Sequence, residues 1–116
     1  MQDKVVGMDN FLRCTVLLLL NSSPSHGYEL SGNLYKMKLF GRSSKKRVSI
    51  YSCLRKMENE RLIMSEWSIE KKQKPKRVYS ITETGKVRLG ELISTISEHA
   101  TALFELVEIY RHQVLS

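Results

Sequence analysis

Between Val48 and Gly85 the apolar pattern changes period twice, and this limits the fold more than any other feature of the chain. In Val48-Ser49-Ile50-Tyr51-Ser52-Cys53-Leu54-Arg55-Lys56-Met57-Glu58 the apolar residues recur at helical spacing. Residues 62–70 alternate in part and residues 76–82 alternate well, as strands do, with Pro75 in the connection. Thr82-Glu83-Thr84-Gly85 then opens another helical stretch, which Thr82 or Thr84 can cap. The segment therefore predicts helix, two-stranded hairpin, helix. With 116 residues there is room for one domain and an appended helix.

Charge follows the same segment. Eight Lys/Arg lie between Lys36 and Lys56 and five between Lys71 and Arg77, with no acid in either stretch. From Glu83 onward the balance reverses, with five Glu against three Lys/Arg. A net charge of +7 alone calls only for a polyanionic partner. A merely solvated surface mixes signs along the chain, whereas here the cations concentrate on one helix and one hairpin.

The central helix is expected from residue 44 or 45 to about residue 60. Ile50, Leu54, Met57 and Arg61 project within about 60° of each other at 100° per residue. Lys45, Val48, Ser49, Ser52, Arg55, Lys56 and Asn59 form the opposite face, with Lys46 and Arg47 close by. A small, polar, basic face suits a helix lying in the major groove of DNA, where bulky residues would hold it off the base edges. Ser49 and Ser52 are candidates to read base edges; the plainer reading is solvated helix surface. Lys45, Lys46, Arg47, Arg55 and Lys56 are candidates for phosphates or bases, and Lys72, Lys74, Lys76 and Arg77 for phosphate or minor-groove contacts from the hairpin. The hydroxyls of Tyr28 and Tyr51 can reach phosphates, unless their rings only pack at a helix junction.

Before this segment, residues 9–20 predict a core helix capped by Asp9, with Phe11, Val16, Leu19 and Leu20 as its stripe and Leu12, Leu17 and Leu18 widening it. Asn21-Ser22-Ser23-Pro24 ends it. A second helix, capped by Ser25, is expected to run to about residue 38 with Leu30, Leu34 and Met37 on one face. Gly27 in its first turn suggests the close approach of another backbone. Residues 40–44 read as a loop. After the hairpin, one helix of some 30 residues carries Leu89, Ile96, Leu103 and Tyr110 at intervals of seven, flanked by Ile93, Ala100, Val107 and Val114. The part of the chain before it is too small to cover that stripe, so these residues are expected to meet a second copy of the chain. His99 shares a heptad position with Leu92 and Leu106, at the rim or inside of that seam. Glu91, Glu98 and Glu105 read as its wet face.

Pro24-Ser25-His26-Gly27-Tyr28-Glu29-Leu30, Ile50-Tyr51-Ser52-Cys53-Leu54-Arg55-Lys56-Met57-Glu58, Leu62-Ile63 with Trp67, and Pro75-Lys76-Arg77-Val78-Tyr79-Ser80-Ile81-Thr82-Glu83-Thr84-Gly85, taken in this order, resemble the PadR family of transcriptional regulators. The resemblance covers most of residues 9–95 and fits the short subtype. It implies a mainly α winged helix-turn-helix with a two-stranded β-wing over residues 1–82 and a dimerisation helix over residues 83–116. It also implies a homodimer that represses transcription by binding double-stranded DNA at an operator. Some members take aromatic ligands at the dimer interface; no residue here specifies one. The chain departs from the family pattern at Val48 and Arg61, where glycine is usual, and at Ser52, where proline is usual. Arg61 would have to end the central helix without glycine's freedom.

Other readings find less support. Cys14 and Cys53 make neither a disulfide framework nor a zinc site, and read as reduced packing residues of a cytoplasmic protein. The apolar run 16–20 is too short to span a membrane. It has Lys4 and Arg13 as a basic flank, but Arg13 sits too close and Asn21-Ser22-Ser23-Pro24 supplies no small-x-small cleavage pattern, so no signal peptide is expected. No phosphate loop, metal-spaced His/Glu pair or nucleophile with a placed base is present, so no enzyme, metal or cofactor is expected. His26 reads as a helix-start residue and Trp67 as a core or wing-base anchor. Two rival functions remain: a DNA-coating protein without operator specificity, and a winged-helix module for protein interaction, which would not need basic residues on the hairpin.

Overall fold

In the computed structural model, which describes residues 7–41, 50–70 and 73–115, the leucine-rich first segment forms α1 (Met8–Ser22) through the middle of the core. Val16 and Leu17 have no exposed surface and Leu12 and Leu20 almost none. Leu18, expected inside, is half exposed because it falls beyond the buried stripe. Gly7, not Asp9, precedes the helix: its carbonyl accepts from the amides of Asn10 and Phe11, and Asp9 lies within the first turn.

Ser25 does not cap the next helix. It belongs to a two-residue strand, β1 (Ser25–His26), and His26 takes the cap position of α2 (Gly27–Lys36). The His26 Nδ1 accepts from the Glu29 amide at 3.2 Å, while the Ser25 hydroxyl donates to the Glu29 carboxylate at 2.6 Å. Histidine at a helix start is thus structural here, as its isolation from metal-ligating partners suggested. α2 buries Leu30 and Leu34, but ends before Met37, whose backbone is extended and whose side chain is exposed. The expected loop after it begins as a helical turn, α3 (Lys38–Gly41), that buries Phe40.

The central helix is described from Ile50, as α4 (Ile50–Asn59), and buries Ile50, Cys53, Leu54 and Met57. Burial pushes the Cys53 thiol up to about 11, so it stays protonated and inert near neutral pH. Arg61, expected on the inward face, is exposed because the helix has already ended. The Leu62 amide bonds to the Met57 carbonyl at 2.9 Å and the Arg61 amide to the Glu58 carbonyl at 3.0 Å, the paired bonds of a Schellman stop. Arg61 itself adopts φ 64°, a left-handed backbone that glycine reaches without its Cβ penalty.

β2 (Ile63–Ser68) and β3 (Lys76–Ile81) pair antiparallel, with Ile63 opposite Ile81, Ser65 opposite Tyr79 and Trp67 opposite Arg77. The sheet has three strands rather than the expected two. β1 pairs with the free edge of β3, Ser25 opposite Tyr79 and His26 opposite Val78, giving the order β1-β3-β2. A strand this short carries no periodicity to read.

Thr82 turns the chain from β3 into α5 (Glu83–Leu115). Its amide bonds to the Leu62 carbonyl at 3.1 Å, its hydroxyl lies 2.7 Å from the Arg61 carbonyl, and that hydroxyl accepts from the Gly85 amide at 3.0 Å. Gly85 lets this corner close, since a Cβ there would sit 2.0 Å from the Leu62 carbonyl oxygen. Leu89 and Leu92 then enter the core beside α1, with Ile96 at its margin. Leu89, expected at the seam with a second copy, is therefore covered within its own chain. Beyond Ile96 the helix leaves the head: Leu103, Phe104, Leu106, Val107, Ile109, Tyr110, Val114 and Leu115 are all exposed. At 1.5 Å per residue α5 is about 50 Å long, and the molecule extends 66 Å along its long axis.

Candidate nucleic-acid interface

The start of α2, the start of α4 and the strand β3 converge on an open cleft of about 260 Å³. Gly27 forms part of its floor because the ring of Tyr51 occupies the space a side chain would fill: a Cβ at Gly27 would lie 2.6 Å from Tyr51 Cε1. The close neighbour of Gly27 is thus a tyrosine ring and not a backbone. The Tyr51 ring packs against Gly27 while the residue remains half exposed. Tyr28 is 79% exposed beside it. Lys76 and Arg77 bring charge to the cleft from β3, and Tyr79 closes its inner end. Burial raises the pKa of the Tyr79 hydroxyl, which keeps it a neutral donor.

Of the residues singled out from sequence, Tyr28, Tyr51, Lys76 and Arg77 meet in this cleft. Arg55 and Lys56 are exposed on α4, and Ser52 is half-buried. Lys74 is exposed on the wing and lies with Lys76, Ser68 and Glu70 around a second, adjoining hollow. Lys45, Lys46, Arg47, Val48, Ser49 and Lys72 lie outside the described residues.

Sequence reasoning missed a polar chain that ties the wing to α4. The Ser65 hydroxyl donates to the Glu58 carboxylate at 2.6 Å, and the Arg77 Nε donates to Ser65 Oγ at 2.9 Å. The Arg77 guanidinium also lies 5.5 Å from the ring centre of Trp67. Trp67 is 62% exposed and is neither a core residue nor an anchor at the base of the wing. Its position follows from the register, which sets Trp67 beside Arg77 across the two strands. That register depends on the connection between the strands, which composition does not specify.

An ion pair braces the head away from the cleft. Arg13 of α1 meets Glu60, just after α4, through two hydrogen bonds of 2.6 and 3.3 Å. This pairing raises the Arg13 pKa and lowers that of Glu60. Among the described residues no group of three His, Cys, Asp or Glu side chains could hold a metal ion. None of their helices is long and apolar enough to cross a membrane.

This arrangement — a helical head, a helix presented beside a basic β-wing, and a long trailing helix — is that of a winged-helix transcriptional regulator. Residues 16–91 match the model of the transcriptional regulator PadR-like family, and the chain belongs to that family, one of regulators and not of enzymes. A PadR-like transcriptional regulator from Bacillus cereus is 26% identical, with a TM-score of 0.73 over 86% of this chain and 94% of that one. A conserved protein of unknown function, described as a potential transcriptional factor, is also 26% identical, with a TM-score of 0.81 over 98% of this chain and 100% of that one. A transcriptional regulator from Clostridium thermocellum shares the fold at 23% identity, with a TM-score of 0.70 over 84% of this chain and 94% of that one. No curated protein matches the chain in sequence.

Proposed function

We propose that the chain is a sequence-specific DNA-binding repressor that acts as a homodimer on an inverted-repeat operator. The observation that carries this reading is the cleft, where cations and tyrosines of three separate segments share one exposed surface. Arg55, one turn on from Tyr51, extends that surface along α4 and Lys74 extends it along the wing. In this reading residues 1–82 form the DNA-binding unit and residues 83–116 the dimerisation helix, although Leu89 and Leu92 also serve the head. Ile93, Ile96, Ala100, Leu103, Val107, Tyr110 and Val114 meet their copies. A two-fold dimer then offers two α4 helices to half-sites about 34 Å apart. The chain works in the cytoplasm, where Cys14 and Cys53 stay reduced. Lys45, Lys46, Arg47, Ser49 and Ser52 supply the groove contacts, and Lys72, Lys74, Lys76 and Arg77 the wing contacts.

The test is the salt dependence of binding. Replacing Lys74 and Lys76 by Ala should weaken binding to every duplex and flatten the log–log slope by about 0.9 for each phosphate left unneutralised. An unchanged slope would remove the wing from the interface.

A further inference from the structure

Arg77 is held differently from the other described cations of the interface, Arg55, Lys74 and Lys76. Its Nε is fixed by Ser65, whose hydroxyl is oriented by the Glu58 carboxylate of α4, and its guanidinium lies beside the ring of Trp67. These interactions leave the two Nη groups without a hydrogen-bond partner among the described residues. The residue is exposed and lines the cleft with Lys76, Tyr28 and Tyr51. A guanidinium held through Nε and its face, with its outer donors free, is set to grip a planar pair of anionic oxygens. A flexible arginine loses rotamer freedom when it binds; one already fixed has less to lose.

We propose that the cleft seats one phosphodiester of the DNA backbone, with Arg77 as its fork, and that Glu58, Ser65 and Trp67 are positioning residues that hold that fork ready. Lys76 and the hydroxyls of Tyr28 and Tyr51 complete the seat. This assignment rests on the DNA-binding reading above and adds to it a built phosphate site and a link from α4 to the wing. Because Glu58 belongs to α4, a shift of α4 against the wing would loosen the Arg77 grip, and both elements engage DNA as one unit.

A double-mutant cycle on the full chain tests it, with dissociation constants for a duplex of unselected sequence measured across a range of salt. Arg77→Gln should lower the log–log slope by about 0.9, the signature of one phosphate no longer neutralised. Ser65→Ala should weaken binding several-fold with the slope unchanged, because the charge remains and only its placement changes. In the Arg77→Gln background Ser65→Ala should cost nothing further, and Ser65→Thr, which keeps the hydroxyl, should bind as the parent does. An equal cost of Ser65→Ala in both backgrounds would overturn the positioning role. An unchanged slope for Arg77→Gln, with the parent still binding DNA, would overturn the phosphate seat and leave the DNA-binding reading intact. Inorganic phosphate should displace the duplex no more than another salt of equal ionic strength; greater displacement would assign the seat to free phosphate instead. Failure of the parent chain to bind any duplex would overturn the DNA-binding reading itself, and this assignment with it.

Discussion

The head and the far half of α5 are built from similar apolar residues and treat them in opposite ways. In the head, Leu17, Leu30, Leu54 and Met57 have no exposed surface, and even the first turns of α5 are used to close the core through Gly85, Leu89 and Leu92. Past Ile96, Leu103, Phe104, Leu106 and Tyr110 are each about three-fifths exposed. The head is complete within one chain, whereas a helix with a continuous bare stripe is stabilised chiefly by packing against another surface. If that stripe is the proposed dimer seam, the two halves should fail independently, one by unfolding and the other by dissociation.

The largest expected effect breaks the helix and spares the head. Replacing Leu103 and Val107 by Glu would set charges into the proposed seam at a cost of several kcal/mol if they stay ionised. Sedimentation should show single chains, with DNA affinity sharply reduced and the circular dichroism of the head retained. Dimers of that variant would mean that the chain assembles through another surface.

The converse variant breaks the head. Gly85→Ala would drive a Cβ into the Leu62 carbonyl and the Ile81 side chain. Backbone cannot move aside as a flexible side chain can, so thermal denaturation should show a loss of about 3 kcal/mol or more. Gly90→Ala, five residues along the same helix and facing open space, should instead be neutral or mildly stabilising.

A smaller effect of opposite sign is expected at Arg61. Arg61→Gly removes the Cβ penalty of its left-handed backbone and should stabilise the head by about 1 kcal/mol in urea denaturation. A loss of stability would mean that the arginine side chain contributes more than its backbone costs.

The smallest effect is a pH dependence. Pairing with Arg13 lowers the folded-state pKa of Glu60. Its contribution is then present above the ordinary glutamate range and is lost as pH falls through the lowered value. Glu60→Gln should flatten the stability profile across that acidic window and leave the slope near neutral pH unchanged, though the pair is partly exposed and the change modest.

The elements that carry a strong period are legible in the sequence. The central helix, the hairpin and the long trailing helix all read from the spacing of apolar residues; the left-handed demand at Arg61 comes only from the resemblance to a family in which glycine is usual there. Two kinds of feature are hidden. β1 is two residues long and exists only because β3 offers an edge, so Ser25 reads as a cap until its partner Tyr79 is placed. The chain from Glu58 through Ser65 to Arg77 depends on strand register, which shifts every side chain to the other face if it slips by one residue. The basic and tyrosine residues of the cleft are each visible; that α2, α4 and β3 bring four of them to one hollow is not. Leu89 misleads for a related reason, since a heptad repeat does not reveal which of its positions the chain itself covers.

Selection from a pool of random duplexes tests the central claim most directly. If the chain is a dimeric operator-binding regulator, the recovered sequences should converge on an inverted repeat with half-sites one helical turn apart, and Ser52→Ala should change the preference at one position in each half-site. Recovery of no common repeat, with the Ser52→Ala chain binding all sequences as the parent does, would contradict it and favour a protein that coats DNA without reading it.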